Sequence, residues 1–169
     1  MLHGNSKNRP IPLTARLKIA LESAEALDYL HTSISRPIIH GDVKSANILL
    51  DDGYCAKVSD FGASNIMPTD NTQVVELFQW TVGYLDSECL CSQIVTMSSD
   101  VYSFGVVILE LVTRKKVIYK DESDQRLHLA SQFVSMMSNG ELNEMLDKEI
   151  VTNDDKMIEV LQEISDLAV

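Results

Sequence analysis

The chain has 169 residues, 45% of them hydrophobic, enough for one globular domain or a large part of one. Lys and Arg number 14 against 25 Asp and Glu, a formal net charge of −11. A phosphate backbone is gripped by clustered cations, so neither nucleic acid nor an anionic membrane surface is an expected partner. Three cysteines (Cys55, Cys89 and Cys91) form no CxxC pair, and no HExxH occurs. Disulfide scaffolding and structural zinc are thereby disfavoured, and reduced thiols in a cytosolic setting are expected.

Residues 1–12 are polar, carry two prolines and read as an entry loop without the apolar core of a signal peptide. From Leu13 to Leu30 the apolar positions Leu13, Leu17, Ala20, Leu21, Ala24, Leu27 and Leu30 recur at helical spacing, with Thr14 or a neighbour as the cap. A loop, HTSISRP, leads into IIHGDVKSANILL at 38–50. The next segment, ILLDDGYCAKVSDFG, reads as a hairpin about Asp52-Gly53. A calcium loop starting at Asp51 is excluded, because its twelfth position would be Gly62 instead of Glu.

Residues 63–97 show no sustained period, and an irregular stretch of that length points to a functional segment. Ser98 or Ser99 then caps DVYSFGVVILELVT, apolar nearly all round and so expected to be a buried central helix. Its longest apolar run ends at Glu110, too short to span a bilayer. Arg114-Lys115-Lys116 reads as cations at that helix's C-terminus. Beyond a charged loop, KDESDQ, the positions Leu127, Ala130, Phe133, Val134 and Met137 mark a helix stopped by Asn139-Gly140. A last helical pattern starts near Asp154.

The chemistry lies in two short motifs. Phosphoryl transfer asks for a base that orients the attacking hydroxyl, a cation beside the transferring group, and oxygen ligands for magnesium. Asp42, Lys44 and Asn47 supply such a set on one loop, and Asp60 adds a carboxylate from the hairpin that follows. Magnesium accepts a site of few hard oxygens completed by phosphates and water.

His40-Gly41-Asp42-Val43-Lys44-Ser45-Ala46-Asn47 resembles the H-R-D-L-x-x-x-N loop of protein kinases, and Asp60-Phe61-Gly62 resembles their D-F-G. The resemblance continues in order. TVGYLDSE at 81–88 is similar to the end of the activation segment, and DVYSFG at 100–105 to the start of the buried central helix. The Lys two residues after Asp42 follows the Ser/Thr-kinase pattern. The wording DVKSANILLDDGYCAKVSDFGAS is similar to plant receptor-like kinases, most of all the wall-associated group.

What the resemblance implies is an α+β fold, mostly helical, corresponding to the C-terminal lobe of a kinase domain with a small β-hairpin. It implies that Asp42 is the catalytic base, that Lys44 neutralises phosphoryl oxygens, and that Asn47 and Asp60 hold Mg²⁺ and with it ATP. His40 and Phe61 would pack beneath the loop with Gly62 beside them, Thr81 would position Lys44 and Asp42, and Asp100 would brace the loop backbone. Glu88 would support the activation segment. The partner implied is a protein substrate phosphorylated on Ser or Thr. The chain would be cytoplasmic and without membrane insertion of its own, whereas full-length relatives are plasma-membrane receptors.

Three departures qualify this. Gly41 replaces the Arg that reads activation-segment phosphate, Trp80 replaces a Gly, and Ser87 replaces a Pro. No GxGxxG, no V-A-I-K lysine and no partner Glu occur in the 169 residues. The expected unit is a partial domain of residues 1–169, beginning after the hinge and ending before the last helices. Its exposed lobe roof would make it marginally stable. The alternative is an inactive, pseudokinase-like fragment that binds other proteins.

Overall fold

A computed structural model describes residues 11–67, 81–85, 87–92, 94–121 and 123–148. Residues 1–10 of the entry loop, Trp80 and the C-terminal helical pattern lie outside them. Helix α1, Leu13–Asp28, starts at Pro12, whose carbonyl accepts from both Ala15 and Arg16 N–H at 3.0 Å. No side chain caps it; Thr14 lies inside the helix, so the expected Thr14 cap is not formed. Its buried stripe is Arg16, Ile19, Ser23 and Leu27, continued by Leu30 in a single π turn at Tyr29–Ser33, while Leu21 faces solvent. The stripe is rotated from the apolar-only pattern because two polar residues occupy the inner face.

Strand β1 is Ile38–Ile39, β2 is Ile48–Leu50, β3 is Ala56–Val58 and β4 is Asn65–Ile66. β2 pairs antiparallel with β3 (Ile48↔Val58), and β1 pairs antiparallel with β4 (Ile38↔Ile66), so one ladder is nested inside the other. This nesting places the loop at 40–47 beside the loop at 59–64, since each joins an inner strand to an outer one. The β2–β3 turn departs from the Asp-Gly expectation. Tyr54, at φ 58°, takes the left-handed position, and the Asp51 carboxylate accepts from Gly53 and Cys55 N–H at 2.9 and 2.8 Å. A side chain thus organises the turn that glycine was expected to make.

Helix α2, Ser87–Ser92, interrupts the segment that showed no period, and α3 spans Met97–Thr113. The α3 cap is Thr96, in a reciprocal capping box with Ser99, and neither Ser98 nor Ser99 is the cap. Val106, Val107 and Leu109 are fully buried, so α3 is the central helix. Each such side chain contributes roughly 1.5–3 kcal/mol of burial. One face packs with Ile19, Leu27, Val43 and Ile48, and Leu109 joins Leu129, Phe133, Leu142 and Met145.

The charged KDESDQ segment closes a further hairpin instead of a plain loop: β5, Ile118–Lys120, pairs with β6, Arg126–His128. Leu127 therefore belongs to a strand. Helix α4, Leu129–Ser138, stops at Asn139 and at Gly140, φ 73°, before α5, Leu142–Met145. Among the described residues there are three two-stranded antiparallel sheets where one hairpin was expected. No helix among them is long and apolar enough to cross a membrane.

Candidate active site

Ile39 is buried, and immediately after it the chain turns through Gly41 at φ 78°, a backbone region that favours glycine. Asp100, buried near the start of α3, receives this turn: its Oδ2 accepts from His40 N–H at 2.7 Å and its Oδ1 from Gly41 N–H at 2.9 Å. His31, from the turn after α1, reaches the same Oδ2 at 2.9 Å. Buried carboxylate oxygens without partners are costly, and these have three.

His40 is fully buried and bridges the two loops. Its Nε2 lies 3.1 Å from the Ser59 carbonyl, which only accepts, so Nε2 carries the proton and Nδ1 accepts from Asp42 N–H at 3.3 Å. The Phe61 ring lies 5.0 Å from the imidazole, tilted by 52°. From the other side Ser64 Oγ donates to the His40 carbonyl at 3.0 Å. Ser59 N–H and Oγ both donate to the Asn47 carbonyl, at 2.9 and 2.8 Å. Both loops are therefore fixed by backbone-directed bonds before any working side chain is considered.

Those side chains converge on Asp42. Lys44 Nζ lies 2.5 Å from Asp42 Oδ2 and donates to Thr81 Oγ1 at 3.1 Å. Thr81 Oγ1 in turn donates to Asp42 Oδ1 at 2.8 Å. Asn47 Nδ2 donates to the Asp42 carbonyl at 2.8 Å and to Oδ2 at 3.2 Å. With its amide nitrogen engaged in this way, Asn47 is left with Oδ1, a hard oxygen of the kind a magnesium ion takes. Asp60 is exposed, in a left-handed conformation at φ 67°, one residue from the Ser59–Asn47 link. An amide oxygen and a carboxylate suit magnesium, which fills its remaining positions with water and phosphate.

Of the residues singled out from sequence, His40, Asp42, Lys44, Asn47, Thr81 and Asp100 form one hydrogen-bonded group. Phe61 packs against its His40 ring at a tilt, with Gly62 following in the turn Phe61–Ala63. Asp60 joins through its neighbour. Glu88 rides on α2, its side chain outside the described residues. A cavity of about 10 Å³ beneath the loop is lined by Gly41, Asp42, Thr81, Tyr84, Asp100 and Ser103, room for about one water.

Sequence reasoning passed over a second group. Tyr84 Oη donates to Glu110 Oε2 at 2.6 Å and lies 3.1 Å from Ser45 Oγ, while Ser103 Oγ donates to the Tyr84 carbonyl at 2.6 Å. Burial, and then the neighbouring Glu110 carboxylate, pushes the Tyr84 phenol well above its ordinary range. One signal was available: Glu110 is the lone acid inside VVILELV.

The model of the "Protein kinase domain" family matches residues 3–167. Wall-associated receptor kinase 3 of Arabidopsis thaliana is 43% identical over 159 residues, covering 94% of this chain and 21% of that protein. Wall-associated receptor kinase 5 of the same plant is 45% identical over 150 residues, 89% of this chain and 20% of its own length. A probable LRR receptor-like serine/threonine-protein kinase from Arabidopsis is 44% identical over 152 residues, 90% of this chain and 16% of its length. The chain thus spans about a fifth of the length of these curated relatives. With an ordered catalytic-type loop, a family match over nearly every residue and this identity to plant receptor kinases, the chain belongs to the protein kinase domain family.

Proposed function

We infer that this chain carries the C-terminal, catalytic-loop lobe of a Ser/Thr protein kinase that moves the γ-phosphoryl of ATP to Ser or Thr hydroxyls of a protein. The observation that carries the reading is the convergence of Lys44, Thr81 and Asn47 on the Asp42 carboxylate. Asp42 is held at a fixed point where it can accept the proton of an incoming hydroxyl. Lys44 sits beside it, where its charge can oppose phosphoryl oxygens. Asn47 Oδ1 and the exposed Asp60 carboxylate are the groups that would hold Mg²⁺. The ion, when bound, neutralises charge on the phosphates and aligns them.

Asp100 and His40 act by holding the loop backbone, and Thr81 by holding the Lys44–Asp42 pair. With glycine at 41 the loop lacks the Arg that pairs with activation-segment phosphate, so activity is independent of such a modification. The receptor names of the relatives support a working lobe on the cytoplasmic side of a membrane, as one part of a longer protein.

A second reading, an inactive lobe that binds other proteins, is favoured by one observation: the 169 residues hold no glycine-rich loop and no strand lysine for the ATP phosphates. One experiment separates the two. Transfer of labelled γ-phosphoryl to a Ser/Thr substrate with Mg²⁺ is measured for the chain alone and fused behind the N-terminal lobe of wall-associated receptor kinase 3. The fusion is expected to transfer, and Asp42→Asn to lower its rate by about 10²–10⁴-fold, the range of a lost general base. The chain alone should stay at background. A folded fusion without transfer would establish the inactive reading, and one that transfers equally well with Asp42→Asn would remove Asp42 as the base.

A further inference from the structure

The hydroxyl of Ser45 has no part in the proposed chemistry, yet it begins a directed chain of hydrogen bonds. Tyr84 Oη spends its proton on the Glu110 carboxylate, 2.6 Å away, so the 3.1 Å contact with Ser45 is a bond that Ser45 donates. Glu110 is buried in α3, and Tyr84 is buried between α3 and the loop. Ser45 opens the 3₁₀ turn Ser45–Asn47, so its neighbours on either side are Lys44 and the turn that orients Asn47.

The segment that supplies Tyr84 is itself a tight turn. Tyr84 N–H donates to the Thr81 carbonyl at 3.2 Å, with Gly83 at φ 94° in the third position, the backbone of a type II turn. The two ends of that turn hold the loop at different points: Thr81 holds Asp42 and Lys44, and Tyr84 holds Ser45. Ser103 fixes the Tyr84 carbonyl to α3. A side chain as long as Lys44 keeps a short ion pair only where its backbone is held, and Thr81 holds only its tip. The Lys44 carbonyl accepts from Asn47 N–H at 2.9 Å within the turn, and Ser45, the next residue, ties that turn through Tyr84 to the buried Glu110 of α3.

We propose that Ser45 is a positioning residue, which fixes the Lys44 backbone to helix α3 through the Tyr84 hydroxyl and the Glu110 carboxylate and so keeps Lys44 paired with Asp42. This rests on reading Lys44 as a working group of phosphoryl transfer. Its test is a measurement that needs no transfer.

The full chain is treated with a water-soluble N-hydroxysuccinimide ester, and acylation of Lys44 Nζ is followed by peptide mass spectrometry. Lys57, exposed on β3, serves as internal standard. Ser45→Ala is expected to raise Lys44 acylation about 2- to 10-fold over Lys57, the factor that one net hydrogen bond carries. Ser45→Thr should return it to the wild-type rate. Tyr84→Phe, which keeps the ring and removes only the hydroxyl, should give the same rise, and the double variant no further rise. Unchanged acylation in both single variants, failure of Thr to restore the rate, or additive effects would each overturn the positioning role. If Ser45→Ala fails to fold, Tyr84→Phe alone decides between the same outcomes. A fusion that never transfers phosphoryl while Lys44 responds in this way would sink the kinase reading and leave the positioning role standing.

Discussion

Gly41 concentrates two demands on one position. It lies at φ 78°, and a Cβ added there would come 2.8 Å from the Ala63 carbonyl oxygen in the neighbouring loop. Backbone on both sides leaves little room to give, because Asp100 holds Gly41 N–H and β1–β4 pairing holds the approach to Ala63. Gly41→Ala is therefore expected to cost about 1–2 kcal/mol for the left-handed backbone alone, with the contact to Ala63 added. Gly41→Arg, which restores the common kinase residue, should cost at least as much. Urea unfolding of both variants checks this, and wild-type stability in either would contradict it. The glycine was legible in the sequence as a missing arginine. Its second role, the close approach of Ala63, depends on a loop more than twenty residues away and was not.

Side chains set the start of α3 and the β2–β3 turn. Thr96 and Ser99 cap each other at the start of the central helix, and Thr96→Ala is expected to lower stability by about 1 kcal/mol in thermal unfolding. Asp51 organises the β2–β3 turn. Its carboxyl is held below the ordinary value, chiefly by the Cys55 N–H and further by that of Gly53. A lowered value in the folded state means a contribution present in full above the ordinary carboxylate range, lost as pH falls through the lowered value. The amide shift of Cys55 should thus titrate with a midpoint below 3.8, the ordinary Asp value, and Asp51→Ala should abolish the transition; a midpoint at or above 3.8 would refute the turn's account.

Long periodic elements were legible: α1, α3 and α4 all form, though α4 starts at Leu129, after the Leu127 from which its spacing was read. The pairings β1–β4 and β5–β6 were not, since strands of two or three residues carry no readable alternation. Their partners are chosen by tertiary packing.

Across the molecule, the first helix and the end of the described chain are joined by one buried group. Arg16 donates to the Ile11 carbonyl at 2.7 Å, to the Leu111 carbonyl at 2.9 Å, and to Asp147 Oδ2 at 2.5 Å, with Asp147 N–H returning to Val112 at 2.9 Å. Breaking such a buried pair leaves an uncompensated charge, so Arg16→Met should lower stability by about 3–5 kcal/mol in urea unfolding. A loss below about 1 kcal/mol would show that the pair is incidental. Apolar periodicity says nothing of Arg16, and only the packing of α1 against α3 shows that it is buried.

Leu49 and Phe61 remain 55% and 48% exposed, each beside one of the two loops that carry Asn47 and Asp60. The motif residues were legible because they are local: His40, Asp42, Lys44 and Asn47 lie within eight positions. The residues that hold them, Ser59, Ser64, Tyr84, Ser103 and Glu110, are scattered over the chain and carry no motif. The central claim is that Asn47 and Asp60 form the divalent-cation part of the site, whatever supplies the glycine-rich loop and strand lysine for the nucleotide phosphates. Binding of Mn²⁺ to the purified chain as a magnesium substitute, followed by electron paramagnetic resonance, tests it most directly. The account predicts binding weakened by about tenfold or more in Asn47→Leu and in Asp60→Asn, with Asp51→Asn unchanged; equal affinity in wild type and both site variants would contradict it.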